Sequence, residues 1–104
     1  MTYHVELTAR AIRDLDRTFG RINGENSRRA GTWFNRLEDT VFSLDQNPAR
    51  GATTPEDNTL RQVFFGRKHN IYRIIYEIDE TSRCATILHI RHGALPPFEA
   101  TIKV

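Results

Sequence analysis

The chain has 104 residues, a formal net charge of +2 and an apolar fraction of 38%, with one tryptophan, three tyrosines and six phenylalanines. This composition predicts one domain over residues 1–104 with a single core, and it argues against a second domain and against wholesale disorder. No apolar run reaches the roughly 20 residues of a membrane span, and the first ten residues lack the basic and then apolar order of a secretory signal, so we expect a cytoplasmic protein.

A strand and a helix are predicted at the start of the chain. Residues 2–7 alternate between apolar and polar side chains, which is the period of a half-buried strand. Thr8 is of the type that caps helices, and Asp14 falls on the polar side of the segment that follows. The apolar side of that segment carries Ile12, Leu15 and Phe19. The polar run at 23–26 then predicts a turn.

The longest amphipathic pattern predicts a second helix. Six apolar side chains fall on one stripe over about four helical turns. They are Ala30, Trp33, Phe34, Leu37, Val41 and Leu44. Because Trp33 and Phe34 belong to this stripe, we interpret them as core residues. Pro48 ends the helix, since the residue before a proline is disfavoured from helical angles.

The second half of the chain predicts a sheet. Residues 48–59 are polar and rich in helix breakers, which indicates an exposed loop. Three strand patterns follow with short turns between them, at 60–65, 71–78 and 84–92. Short turns favour an antiparallel meander. The order β-α-α-β-β-β predicts an α+β fold, in which a small antiparallel sheet packs against two helices. Residues 94–104 are a C-terminal tail that packs locally or orders on a partner.

Alternation along the strands predicts which side chains share a face. In the strand at 71–78 the even positions are all apolar or aromatic, and we expect them to pack on the helices. They are Tyr72, Ile74, Tyr76 and Ile78. Arg73 therefore points to the open face, and we expect Arg61 to lie beside it from the preceding strand.

The same counting divides the last strand. Leu88 and Ile90 are expected to point inward, while His89 and Arg91 point to the open face alongside Arg73 of the neighbouring strand. His92 falls on the inner side, but at the exit of the strand. Arg73, His89 and Arg91 are thus predicted to share one sheet face.

Arginine dominates the basic residues, with 13 of the 15, and no acidic residue lies between Asp57 and Glu77. Guanidinium groups bind phosphate oxygens through two donors, and a histidine can exchange a proton near neutral pH. The candidate phosphate-binding or target-binding residues are Arg61, Arg67, Lys68, Arg73 and Arg91. The candidate catalytic residues are Arg73, His89, Arg91 and His92. A purely structural alternative stays open, in which Arg73 pairs with Glu77 on its own face.

Other chemistries find no support in the sequence. Four histidines and one cysteine show no zinc-ligand spacing, and there is no phosphate-binding loop, dinucleotide fingerprint or nucleophile elbow. We therefore expect neither a metal nor a cofactor. Cys84 cannot form an internal disulfide, and a buried strand thiol fits a reducing cytoplasm.

Two stretches resemble the RelE/ParE superfamily, the toxins of bacterial type II toxin–antitoxin modules. They are LRQVFFGRKHNIYRIIYEID and ATILHIRHGALPP, and the similarity extends over nearly the whole chain. The resemblance implies a compact cytoplasmic protein that inhibits growth and is neutralised by a small cognate antitoxin. Such an antitoxin usually also binds operator DNA, so that the toxin reaches DNA of its operon only through its partner. Plasmid stabilisation is a role of such modules.

The superfamily implies two possible activities. RelE-like members cleave mRNA on the ribosome, whereas ParE-like members poison DNA gyrase and are not known as hydrolases, so the resemblance leaves open whether this chain is an enzyme. Arg73 matches a strand arginine that contacts phosphate in the ribosome-dependent ribonucleases. Arg91 and His92 fall at the end of the last strand, where those enzymes also carry functional residues.

Departures from the RelE pattern favour the ParE-like branch. The strand before YRIIY reads VFF, where some RelE enzymes have paired lysines, and GALPPFEA offers no catalytic tyrosine. The ending IRHGA is similar to ParE-type chains. Three hypotheses follow: a gyrase poison, a ribosome-dependent mRNA endonuclease that uses the basic sheet face, and a degenerate toxin retained as an antitoxin-binding module.

Overall fold

Two helices pack on one face of a five-stranded sheet in the computed structural model, which describes residues 2–22 and 27–98. The strands are β1 (His4–Leu7), β2 (Ala52–Thr53), β3 (Arg61–Phe65), β4 (Tyr72–Asp79) and β5 (Cys84–His92), and the helices are α1 (Ala9–Arg21) and α2 (Arg28–Phe42). Two 3-10 turns, Ser43–Asp45 and Pro48–Arg50, follow α2. The turn predicted at 23–26 and the tail positions 99–104 lie outside the described residues.

The sheet has the strand order β1-β5-β4-β3-β2. β3, β4 and β5 form the predicted antiparallel meander, and β2 is a two-residue antiparallel edge strand. β1 pairs with β5 in parallel, from His4 opposite Cys84 to Leu7 opposite Ile87. The predicted α+β class and its two helices are confirmed, but the sheet is mixed rather than antiparallel, because the chain returns to β1 only after both helices and three other strands.

Side-chain caps begin both helices. Thr8 Oγ1 accepts a hydrogen bond from Ala11 N at 3.1 Å, as its residue type predicted. Ser27 Oγ does the same for Ala30 N at 3.2 Å at the start of α2. The Thr8 N–H also donates to Ile87 O at 3.0 Å, which fixes the first turn of α1 against β5.

The buried side of α1 differs from the predicted one. Ala11, Asp14, Leu15 and Thr18 are buried, whereas Ile12 is 50% exposed. Asp14 was predicted on the polar side and lies inside, because its carboxylate accepts hydrogen bonds from β5.

In the part of the chain that the structure describes, no helix is long and apolar enough to span a membrane.

The inner face of the sheet, which is the face against the helices, forms the main core. The predicted inward residues Tyr72, Ile74 and Tyr76 belong to it, and Trp33, Phe34 and Ile78 pack against it. The other core members include Leu37, Val41, Leu44, Ala85, Ile87 and Ile90. The stripe predicted on the second helix therefore faces the sheet as expected.

Tyr76 brings the main polar group into this core. Its hydroxyl donates to Pro48 O and accepts from Gly51 N at 3.1 Å. Burial raises the pKa of the Tyr76 hydroxyl, which favours its neutral form. A side chain at Gly51 has no room, since a Cβ there would lie 2.4 Å from the Tyr76 hydroxyl and 2.6 Å from Gln62 O. The hydroxyl thus ties the segment before β2 to the sheet.

Leu88 and Ile87 of β5 face opposite to the prediction because of a β-bulge at Leu88. Ile75 lies opposite His89 and Tyr76 opposite Ile87, so Leu88 is an extra residue in the strand. Leu88 was predicted inward, but it packs with Ile75 on the other face of the sheet. Ile87 takes the inward position instead. Alternation counted through the strand fails here because the bulge shifts it by one residue.

Candidate functional site

The outer face of the sheet, opposite the helices, carries the two central arginines side by side. Arg73 on β4 and Arg91 on β5 are Cα partners in the antiparallel ladder. Each is only 9% exposed, so neither is presented on an open surface. The structure brings these two candidate residues together, but it places them under other parts of the chain.

Each of the three donor nitrogens of Arg73 is engaged by a neighbouring side chain. Its Nη1 and Nη2 donate to the two carboxylate oxygens of Glu56 at 2.8 Å each, and its Nε donates to Gln62 Oε1 at 2.8 Å. The sequence offered Glu77 as the structural partner, whereas the bidentate partner is Glu56 from the loop before β3. Both side chains of the pair are buried, which makes this a buried, doubly hydrogen-bonded ion pair.

The ion pair shifts the titration of Glu56. The hydrogen bonds from Arg73 hold the pKa of the Glu56 carboxyl below its usual range, and they outweigh the opposing effect of burial. The Phe98 N–H contributes a weaker hydrogen bond in the same direction. Glu56 is therefore ionised at neutral pH and neutralises one of the two adjacent guanidinium charges.

Arg91 is less well satisfied than Arg73. Its Nη2 donates to Pro96 O at 2.5 Å, and its Nε is buried without an acceptor among the described residues. Burial lowers the pKa of Arg91, and the neighbouring charge of Arg73 lowers it further. Arg91 still carries its charge at neutral pH, because an arginine side chain stays protonated well above pH 7.

The segment after β5 folds back over both arginines. The ring centre of Phe98 lies 5.4 Å from Arg73 Cζ and 5.6 Å from Arg91 Cζ, within the range of a cation–π contact. Phe98 also packs on a small apolar cluster of Leu60, Ile75 and Leu88. We call residues 94–98 the strap. The strap and Glu56 together close the outer face that the sequence predicted to be open.

His89 is directed towards α1 rather than towards an open face. Its Nδ1 contacts Asp14 Oδ2, and both side chains are buried. The same carboxylate oxygen accepts from Ile90 N at 3.0 Å, and Arg10 Nη2 lies 3.4 Å from His89 Nε2. β1 ends at Leu7, so this part of the β5 edge has no strand beside it, and Asp14 supplies the acceptor that a strand would have provided.

Arg61 was predicted beside Arg73, and that placement is wrong. Arg61 lies opposite Tyr76 in the ladder, and paired residues share a face, so its side chain is on the inner side. Its Nη1 donates to Gly51 O at 2.7 Å, which holds the segment before β2. The strand-to-strand register decides this placement, and alternation within one strand does not reveal it.

The remaining basic candidates lie at one end of the sheet. Arg67 and Lys68 are exposed in the turn between β3 and β4, where Lys68 has a φ of 57°. Lys68 borders an open cavity of about 430 Å³. Its other lining residues include Phe64, His69, Ile71, Arg73 and His92. The ring of His92 packs on Tyr72 at 5.1 Å, and its Nδ1 accepts from Ala94 N.

Asp14 and Glu56 are the site residues that the sequence did not identify. Asp14 carried a usable signal, because it sits in an i, i+3, i+4, i+7 pattern with Ala11, Leu15 and Thr18. An acidic residue on such a side predicts a buried partner. Glu56 had no comparable signal, since it belongs to an irregular loop 17 residues before Arg73.

The comparisons with known proteins decide the family. A family model described as the ParE toxin of the parDE type II toxin–antitoxin system matches residues 5–95. The chain belongs to the ParE toxin family. The resemblance to the RelE/ParE superfamily is therefore confirmed, and this ParE-family chain is a toxin of the type II toxin–antitoxin class. No curated protein matches its sequence.

Solved structures support the same fold. A toxin–antitoxin complex RelBE2 from Mycobacterium tuberculosis is 24% identical with a TM-score of 0.63, and the match covers 91% of this chain and 95% of that one. A chromosomal ParDE system from P. aeruginosa is 19% identical with a TM-score of 0.70, covering 88% and 96%. A free E. coli RelE mutant is 10% identical with a TM-score of 0.61, covering 90% and 86%.

The chemical capacity of this ParE-family chain follows from the geometry. Both candidate catalytic histidines are engaged, since His89 is bound to Asp14 while the ring of His92 packs on Tyr72. Arg73 has an acceptor for each of its donor nitrogens. Across residues 2–22 and 27–98, no cluster of metal-ligating side chains is present. On the outer face, Arg73, Glu56, Gln62 and Phe98 therefore form a closed electrostatic cluster.

Proposed function

We propose that this ParE-family toxin arrests bacterial growth by poisoning DNA gyrase, without acting as a nuclease. The observation that carries the proposal is the engagement of Arg73. A ribonuclease of this fold needs guanidinium groups directed at a phosphodiester, because they must stabilise the charge that develops on it. Here Glu56 and Gln62 occupy the Arg73 donors, and Phe98 covers both arginines.

The sequence around the arginines supports the same proposal. Phe64 lies opposite Arg73 on the outer face, at a strand where RelE-type enzymes carry basic residues. Gly93 and Ala94 follow β5, and no tyrosine lies between them and Phe98. A hydrolytic mechanism would therefore lack a tyrosine as general acid or base near the arginine pair.

One observation favours a second candidate, a ribosome-dependent mRNA endonuclease. The 430 Å³ cavity at the end of the sheet is lined by Lys68, His69, Arg73 and His92, and no acidic side chain borders it. Such a lining suits a phosphate backbone. This candidate requires His69 or His92 to transfer the proton, since His89 is committed to Asp14.

We further propose that a cognate antitoxin neutralises this toxin in the bacterial cytoplasm and alone contacts the operator DNA. The support comes from solved toxin–antitoxin complexes of this fold. An apolar groove between α1 and α2 fits an amphipathic partner helix. It is bordered by Ile12, Phe19, Phe34 and Phe42, with Asp16 and Glu38 also lining it. Phe42→Glu should abolish growth rescue by a co-expressed antitoxin, whereas Thr32→Glu on the same helix should not.

The experiment that tests the proposed target compares two purified systems. With gyrase, ATP and supercoiled plasmid, excess toxin should convert plasmid into linear DNA after detergent and protease treatment. In a translating extract the same preparation should leave mRNA intact. Codon-biased mRNA cuts without linear DNA would replace the gyrase proposal with the endonuclease. Inactivity in both systems, together with normal growth on induced expression, would favour a degenerate toxin kept as an antitoxin-binding module.

A further inference from the structure

Among the described residues, the outer face pairs two neighbouring guanidinium groups with the single carboxylate of Glu56. Arg73 and Arg91 are neighbours in the ladder, and Glu56 is the carboxylate that binds one of them. Arg91 Nε is buried and has no acceptor among the described residues. A buried donor without an acceptor costs free energy, and it costs more when the group is charged. An acceptor that reaches Arg91 Nε would therefore gain a hydrogen bond that no described residue supplies.

Two donor atoms of Arg91, Nε and Nη2, lie on one edge of its guanidinium group. Nε and Nη2 are the pair of nitrogens that bind an oxyanion side-on through two parallel hydrogen bonds. Nε is the atom without an acceptor, and Nη2 is occupied by the carbonyl of Pro96, which belongs to the strap. Displacement of that one carbonyl would leave the complete edge available.

Among the described residues, the strap is held by hydrogen bonds from Ala94 N and Leu95 N to His92, by one carbonyl of Pro96 and by Phe98. Residues 94–97 are exposed, and Pro96 contributes one carbonyl to Arg91. Phe98 contributes its ring to both arginines and apolar contact to Leu60, Ile75 and Leu88. Phe98 is therefore the residue on which closure of the strap depends.

We infer that residues 94–98 are a strap that closes an oxyanion-binding site on Arg91, with Phe98 as its latch. When Phe98 leaves the guanidinium pair, Nε and Nη2 of Arg91 bind a phosphate group, while Arg73 remains on Glu56 and contributes its field. The ligand is a phosphate, either free or as part of a nucleic-acid backbone. The inference goes beyond the gyrase proposal, because closure of the site does not depend on which target the toxin poisons.

The test is a binding titration with the full-length chain. The probes are a fluorescein-labelled single-stranded deoxythymidine decamer and, in a second arm, inorganic phosphate as its competitor. Phe98→Ala removes two cation–π contacts and should tighten decamer binding about tenfold over the wild type. Thr32→Ala, at an exposed position of α2 and outside the strap, should bind as the wild type does. Competition by millimolar phosphate assigns the site to free phosphate, and its failure assigns it to the nucleic-acid backbone.

Two further variants keep the result interpretable. Phe98→Leu retains an apolar side chain on Leu60 and Ile75 but lacks the aromatic face, so it should fold and should also bind more tightly. Adding Arg91→Gln to Phe98→Leu should return the affinity to that of the wild type. A folded Phe98→Leu protein with unchanged affinity would overturn the inference. So would a gain in affinity that survives Arg91→Gln, because the site would then lie elsewhere. Neither readout involves gyrase, so failure here is separate from failure of the proposed function.

Discussion

Both faces of the sheet are covered by other parts of the chain, but the interactions that hold these parts in place differ between the two faces. On the inner face, an apolar cluster packs against two helices, and the Tyr76 hydroxyl is its main polar group. On the outer face, a loop and the strap lie over two arginines, and the carboxylate of Glu56 balances one of them. Packing on the inner face therefore depends on shape complementarity, whereas the cover of the outer face depends on the pairing of Arg73 with Glu56.

Removal of one charge from the outer face should produce the largest effect. Glu56→Gln leaves Arg73 buried without its counterion, so we expect a loss of about 3 kcal/mol in the free energy of unfolding. The measurement is urea denaturation at pH 7. Glu6→Gln is the matched control, because Glu6 forms an exposed pair with His4 and such pairs contribute little. Equal losses in both variants would remove the distinction between the faces.

The second largest loss of stability is expected at the edge of β5, where Asp14 of α1 binds His89 and Ile90. Asp14→Asn weakens the acceptor shared by His89 Nδ1 and Ile90 N, and we expect a loss of about 2 kcal/mol. Asp16→Asn lies two residues along the same helix with an exposed side chain and should change stability little. Thermal unfolding of the two variants checks this prediction. A wild-type melting temperature for Asp14→Asn would show that the carboxylate does not hold α1 to β5.

The inner face should tolerate the loss of its hydroxyl better. Tyr76→Phe keeps the ring in the core but leaves Gly51 N without its acceptor, and we expect a loss of about 1 kcal/mol. Tyr72→Phe serves as the control, since its aromatic contacts with Trp33 and His92 are retained. A loss from Tyr76→Phe as large as that from Glu56→Gln would show that the inner face also depends on polar pairing.

The smallest expected effect is the pH dependence of the stability that Glu56 contributes to the outer face. The folded pKa of Glu56 lies below its usual value of 4.5, so its contribution is complete above that value and is lost as the pH falls through the folded pKa. The stability difference between the wild type and Glu56→Gln should therefore be constant near neutral pH and shrink below about pH 4.5. Urea denaturation at pH 7, 5 and 3 measures it. A difference that stays constant to pH 3 would contradict the assignment of the shift to Arg73.

Patterns of regular periodicity predicted the inner face well. The apolar stripe with Leu37, Val41 and Leu44 and the even positions of β4 required only helical and strand periods, and both face the core. The helix cap at Thr8 was also predictable from its residue type. These features are local, because each depends on residues within a few positions of one another.

The outer face was less predictable because its partners are distant and irregular. The bulge at Leu88 inverted the expected facing of half of β5, and no sequence signal marks its position. Glu56 and Phe98 reach Arg73 from a loop and from the strap, whose paths no periodicity predicts. Arg61 was placed on the wrong face because the register between β3 and β4 depends on cross-strand pairing.

We propose that Arg73 stabilises the fold and that the toxin acts on gyrase without it. The most direct test is gyrase-dependent DNA cleavage by the wild type and by the Glu56→Gln/Arg73→Gln double variant, after urea denaturation has shown that the double variant is folded. Removing both partners leaves neither member of the Glu56–Arg73 pair as a lone buried charge, so the fold should survive better than in either single variant. We predict linear DNA with both proteins. A folded double variant that no longer traps cleaved DNA would contradict the claim.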